Sequence, residues 1–162
     1  MENQSEQKVL SPEEMEKIPG VEGESVDLWE YDKKEVELKK VEVIQVPSKY
    51  TPLIEDSEEH QPQWVLKVGS EVVATLGEGE DKIEFRASQL FNLIQDKEGN
   101  LTGFPRGKGS NLMKFLKDSK IEVEEDTNLN QVVKLIKGKK ALVKAYDKGE
   151  GDNKRTYLKF RY

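Results

Sequence analysis

Apolar and charged residues alternate along 36–46, where Glu37 separates Val36 from Leu38 and Glu42 separates Val41 from Val43. A period of two belongs to a strand with one buried face. The parity slips by one at Lys39–Lys40, as it does at a β-bulge, so the pattern predicts one long, bent strand ended by Pro47. A polar loop covers 47–62, with Pro52, Pro62 and an acidic cluster from Glu55 to Glu59. Two β-rich runs, 64–68 and 71–76, flank Gly69–Ser70. A two-residue Gly-X linker of this kind predicts a hairpin with a type II′ turn. Ile83–Phe85 opens a further strand. Near Ser88 the pattern hands over to a helix, 89–95, with Leu90, Phe91 and Ile94 on its apolar face, and 96–100 is a loop.

Two short amphipathic helices are expected next. The first carries Leu112, Met113, Phe115 and Leu116 and is capped by Ser110 or Asn111. The second carries Leu129, Val132, Val133 and Ile136, with Thr127 as its cap and Gly138 just past its end. Ile121 and Val123 suggest a brief extended piece between them. The chain closes as a hairpin: a run at 141–146, a turn over 147–153 and a run at 156–162. On the last strand Tyr157 points one way, and Leu158 and Phe160 the other.

Residues 1–25 contain few large apolar groups. They hold Ser11–Pro12, Pro19–Gly20 and Glu13, Glu14, Glu16, Glu22 and Glu24. Such a segment buries too little surface to offset its ordering entropy, so it is expected to be disordered or loosely attached. A short helix from Pro12 to Ile18, capped by Ser11, fits within it. The organisation is therefore an acidic segment, 1–25, and a single β-rich domain, 26–162. The fold class is α+β and β-dominated, a small barrel or twisted antiparallel sheet with two or three short inserted helices. The five-stranded OB-fold is the most economical such architecture, with its helix between strands three and four.

Composition narrows the function. The 162 residues include no cysteine, which excludes disulfides, thiolate metal sites and a cysteine nucleophile. No run approaches the roughly 20 apolar residues of a membrane-spanning helix, and 1–10 lacks a signal peptide's apolar stretch. A cytoplasmic protein without membrane contact is the expectation. Charged residues make up 36% of the chain, mostly lysine and glutamate. That bias suits either a thermophile or a strongly solvated mesophile surface. The net charge of −6 is unevenly spread. Residues 1–60 hold 7 basic and 17 acidic side chains, whereas 101–162 hold 15 and 8. The split suggests an acidic tail and a basic working surface, or two halves that attract one another when folded.

No catalytic motif emerges, and no catalytic or metal residue is assigned. His60 is the single histidine and lies in an acidic, proline-flanked loop, where a solvated role is expected. Gly103–Ser110 differs from a phosphate-binding P-loop: three residues rather than four precede the Gly-Lys pair, and Gly109 intervenes before Ser110. Simpler anion binding remains open for it. Arg106 and Lys108 supply charge, and Ser110 begins a helix whose N-terminus favours anions. A flexible surface loop is the plainer alternative. The second constellation is the basic C-terminal third. Lys134, Lys137, Lys139 and Lys140 surround a helix end, and Lys144, Lys148, Lys154, Arg155, Lys159 and Arg161 decorate the closing hairpin, with Tyr146, Tyr157 and Tyr162 among them. Lysines that track a backbone and rings that stack on bases are the ingredients of single-strand binding. The competing account is a solvated face with half-packed tyrosines.

The run Gly138-Lys139-Lys140-Ala141-Leu142-Val143-Lys144-Ala145-Tyr146, followed by Tyr157-Leu158-Lys159-Phe160, resembles the closing strands of small OB-type modules of phage and archaeal single-stranded nucleic-acid-binding proteins. The resemblance covers 36–162 as an ordering of elements. It implies a cofactor-free binder of single-stranded DNA or RNA, of the sort used in DNA replication or repair. Its expected contacts are Arg106, Lys108, Ser110, Lys139, Lys140, Lys144, Tyr146, Arg155, Tyr157, Lys159 and Arg161. Two other expectations stand beside it. One is a protein-interaction or inhibitor module with a protein partner on the acidic N-terminal half. The other is a structural subunit pairing with another copy along the edge of the 36–46 strand.

Overall fold

A computed structural model describes residues 9–18 and 26–162. The expected disorder of 1–25 therefore lies, for 1–8 and 19–25, outside the described residues. A helix α1, Pro12–Glu16, starts at Ser11, whose hydroxyl accepts from the Glu14 N–H while the Glu14 carboxylate accepts from the Ser11 N–H. This reciprocal capping is the local signal that starts a helix here. A single 3₁₀ turn, Leu28–Tyr31, leads into strand β1, Glu35–Val46. Then come β2, Gln63–Leu76; β3, Ile83–Asn92; the short pair β4, Ile94–Gln95, and β5, Leu101–Gly103; helices α2, Asn111–Asp118, and α3, Leu129–Ile136; and the hairpin β6, Lys140–Lys148, and β7, Arg155–Phe160.

Five strands form one antiparallel-paired sheet in the order β3-β2-β1-β6-β7, and β4 and β5 form a second, two-stranded one. The fold is thus α+β and β-dominated. Strand β1 is shared: its first residues pair with β6, and the rest pair with β2. The change falls at the expected slip, where the register shifts between Leu38 and Lys40. The bulge bends β1 so that Val36, Leu38 and Val41 all stay buried despite the broken parity. On the β6 side the backbone bonds end at Leu38, so from Lys40 onward β1 carries a strand partner only on its β2 edge.

The two ends of the sheet curl towards one another. β7 lies beside β3: the Gln89 amide donates to the Tyr162 hydroxyl, and the Phe160 N–H donates to Gln89 Oε1 at 3.4 Å. Tyr157 and Leu158 share a cavity with Arg86 and Ser88. Numbers rise together on both strands, so β3 and β7 run in the same direction. No ladder joins them among the described residues. Inside, Phe115 of α2 is fully buried, with ring centroids 5.0 Å from Phe91 and 5.4 Å from Phe160. Helix α3 is anchored by Val132 and Ile136. Gly138, at φ +84°, turns the chain out of α3, and its N–H donates to the Leu38 carbonyl at 2.8 Å.

Three local expectations are corrected. Gly69–Ser70 is not a hairpin turn, because β2 runs through it for 14 residues. The pairing with β3 is irregular between Gly69 and Ala74, and the Ser70 hydroxyl mends it. It accepts from the Ala87 N–H at 2.9 Å and donates to the Glu71 carbonyl at 2.7 Å. Residues 89–95 are not a helix. β3 continues to Asn92 with Phe85, Ala87, Gln89 and Phe91 turned inward, while Leu90 and Ile94 are exposed. The polar Gln89 at an inward position hid the alternation. Asn128, not Thr127, caps α3, accepting from the Gln131 N–H at 2.9 Å. The Thr127 hydroxyl accepts from the Glu124 N–H instead.

Ser70 is 1% exposed, so removing its hydroxyl leaves the Ala87 N–H without a partner in the interior. Ser70→Ala is expected to cost about 1–3 kcal/mol in urea unfolding. Ser70→Gly, which also lacks the hydroxyl, should cost at least as much.

Candidate nucleic-acid interface

The β6–β7 register decides whether the basic and aromatic residues share a face. Val143 lies opposite Phe160 and Ala145 opposite Leu158, and all four are buried. The intervening residues therefore point outward. Lys144 stands opposite Lys159, Tyr146 opposite Tyr157 and Lys148 opposite Arg155. The Arg161 N–H donates to the Leu142 carbonyl at 2.8 Å and extends the row. The two tyrosine rings lie side by side with centroids 5.8 Å apart. The Lys159 ammonium sits 4.9 Å from the Tyr146 ring centre, within cation–π range.

Like charges directly opposite one another destabilise a hairpin. Here two such pairs, Lys144 with Lys159 and Lys148 with Arg155, lie on one face. Six other cations have carboxylates, Lys39 with Glu37, Lys40 with Glu42, Lys82 and Arg86 with Glu84, Lys140 with Glu35, and Lys154 with Asp147, while most of the rest, such as Lys67 and Lys108, have none among the described residues. Among the described residues, Lys144, Lys148, Arg155, Lys159 and Arg161 form no ion pair.

Trp29 was not picked out from sequence, yet it borders this face. Its indole N–H donates to Asp147 Oδ1 at 3.0 Å, joining residues 118 apart in the chain. It is 47% exposed and lines a cavity of about 510 Å³ with Lys144, Lys159, Arg161 and Tyr162. Asp32 also lines this cavity, with Oδ1 accepting from the Ala145 N–H at 2.9 Å. A second cavity of about 280 Å³ opens where β7 meets β3, and Tyr146, Arg155 and Tyr157 reach it. The aromatic and cationic side chains are thus bracketed by two concavities.

Asp147 fixes the turn end of the hairpin. The Thr156 hydroxyl donates to it at 2.6 Å, Trp29 donates as above, and Lys154 is 3.2 Å away. These contacts, the Thr156 bond first and the Trp29 bond next, hold the Asp147 carboxyl below its ordinary value of 3.8. A carboxyl lowered on folding stabilises the protein above its unfolded-state value. That contribution is lost as pH falls through the lower, folded-state value. Trp29 emission should therefore change in an acid titration below pH about 4. Asp147→Asn should diminish that step, and the part that remains belongs to Trp64, whose indole donates to the Gly99 carbonyl in the loop held by Asp96, a carboxyl also kept below its ordinary value by its bonds from Asn100.

The remaining expected contacts lie elsewhere. Lys140 is on the outward face of β6 but is paired with Glu35 at 3.6 Å. Lys139 lines a different cavity, with Lys120, Ile121, Thr127 and Leu135, beside α3. The Arg106 guanidinium donates to the Glu125 carbonyl at 2.7 Å. The Ser110 hydroxyl accepts from the Met113 N–H at 3.1 Å as the cap of α2. Lys108 is exposed in the same loop. Hence the structure gathers Lys144, Tyr146, Arg155, Tyr157, Lys159 and Arg161, and it leaves Arg106, Lys108, Ser110 and Lys139 outside that group. His60 is exposed, and its Nδ1 bonds the Thr51 carbonyl. Among the described residues no three His, Asp or Glu side chains cluster in a way that could hold a metal ion. No helix among them is long and apolar enough to cross a membrane.

Comparison with protein-family models, with curated proteins and with solved structures found no match to this chain.

Proposed function

We propose that this chain is a non-enzymatic module of the OB type that binds single-stranded DNA or RNA across the outward face of the β6–β7 hairpin. One observation carries the reading. Two like-charged cross-strand pairs flank a pair of adjacent tyrosines on that face, with no carboxylate partner among the described residues. A polyanion relieves the repulsion, and the tyrosines offer stacking surface to bases. The strand order supports the OB-type reading. A three-strand meander, a bent first strand shared with β6, helices before the closing pair and β7 beside β3 make a five-stranded, partly open barrel.

The acidic N-terminal half gives less support to a partner-binding acidic face. On β1, Glu35, Glu37 and Glu42 are each engaged by a lysine, so that strand presents mixed charge.

Trp29 makes the reading testable by location. Adding an unstructured oligonucleotide at low salt should change Trp29 emission, and added salt should reverse the change. Trp29→Phe should lose the signal while anisotropy still reports binding. Binding that leaves the emission of Trp29 untouched would place the ligand on another surface.

A further inference from the structure

The junction of β3 and β7 is the one place where the five-stranded sheet meets itself without a ladder among the described residues. At one end the Gln89 side chain bridges it, to the Phe160 N–H and the Tyr162 hydroxyl. At the other end it stands open as the cavity of about 280 Å³. Outward Tyr157 and inward Leu158 both line that cavity, so it opens between the strands and reaches the edge of the core. Leu28 and Phe85 supply further apolar wall, whereas Arg86, Ser88 and Arg155 stand with Tyr157 on the outward side.

Three features narrow the occupant. The volume lies just under the range of about 300–1,000 Å³ seen for whole drug-sized ligands, so it suits one flat ring system. Its walls are apolar and aromatic, with guanidinium and hydroxyl donors beside them, the combination that takes up a base while phosphates stay outside. The facing strand edges carry backbone N–H and C=O groups with no strand partner, and such groups need partners. The edge of a base offers donors and acceptors of both kinds.

We propose that the β3–β7 junction is a base-insertion subsite: one nucleobase of the bound strand enters between Tyr157 and Ser88, with its phosphates held by Arg86 and Arg155. This rests on the nucleic-acid reading above and assigns it a further contact. Glu84 holds Arg86 from one side at 3.0 Å and so positions its guanidinium at the mouth. A strand that lacks bases has nothing to insert and is held by charge alone.

The test compares a mixed-base oligodeoxynucleotide with one of equal length built from abasic units, using the full chain and a Ser88→Trp variant. Ser88 is exposed, so the added indole can fill the mouth without entering the core. Ser88→Trp should weaken binding of the mixed-base strand by about 10-fold and leave the abasic strand and the salt dependence unchanged. Amide resonances of the unaltered protein supply a check that needs no variant. Those of 85–88 and 155–158 should shift with the mixed-base strand and stay in place with the abasic one. If the mixed-base strand binds, yet these amides do not move and Ser88→Trp binds it as tightly as the parent, the subsite is wrong and the hairpin reading stands. If neither strand binds the parent at low salt, both readings fall.

Discussion

Phe115→Ala is expected to lower stability by about 3–5 kcal/mol, the usual cost of emptying a fully buried aromatic site. Phe115 is 0% exposed and meets three rings: Phe91 of β3, Phe160 of β7 and, edge-on at 6.2 Å, Tyr162. Phe91 and Phe160 come from the two strands that lack a common ladder, and Tyr162 follows just after β7. Helix α2 therefore does what hydrogen bonds do between other neighbours in the sheet: it joins β3 to β7. For a chain of this length each kcal/mol shifts the midpoint by about 2–4 °C, so thermal unfolding followed by circular dichroism should fall by about 10 °C. A fall under about 2 °C would mean that α2 does not hold the two ends of the sheet together. Phe115→Leu, which keeps most of the volume, should lose clearly less.

The second large effect falls on binding. Each base stacked on an aromatic ring contributes about 1–3 kcal/mol. With Tyr146 and Tyr157 both replaced by alanine, affinity for an unstructured oligonucleotide should drop about 100-fold, with little change in its salt dependence. Lys144→Ala with Lys159→Ala should do the reverse in kind. The slope of log affinity against log salt should become shallower by about 1.4, because each single-strand phosphate contact contributes about 0.7. The Lys144–Lys159 double variant should also unfold no earlier than the parent, since it removes a like-charge pair. Titrations at several salt concentrations separate the two behaviours. If both double variants lose affinity with the same change in slope, the tyrosines are not stacking on bases.

Much of the fold was legible in the sequence where alternation was undisturbed. The bulge at Lys39–Lys40 showed itself because a shift of one residue reverses every later side chain. The face assignments of Tyr157, Leu158 and Phe160 could be read for the same reason. What failed was local. Gly69–Ser70 has the composition of a turn, but Ser70 lies against β3 and its hydroxyl serves the ladder, so the strand continues. Inward Gln89 reads as polar surface until its partners, more than 70 residues away, are known. The candidate site was legible in its residue types and only partly in its membership. Lys139 and Lys140 are neighbours, but the strand begins between them, and they face different surroundings. Arg106 looked available, yet the turn at Glu125 takes its guanidinium. Trp29 carried no signal at all, because its place beside the hairpin is set by Asp147 and by the run of the chain through Leu28 into the core.

The decisive measurement is the anisotropy of a labelled single-stranded oligonucleotide, DNA and then RNA, titrated with the full chain at 50 and 200 mM salt. Five cations on the hairpin face, each releasing counterions from one phosphate, give a slope of about −3.5 and a loss of affinity of about 100-fold across that range. A strand that fails to bind at the lower salt, or whose affinity does not change between the two, would contradict the assignment of this face to nucleic acid.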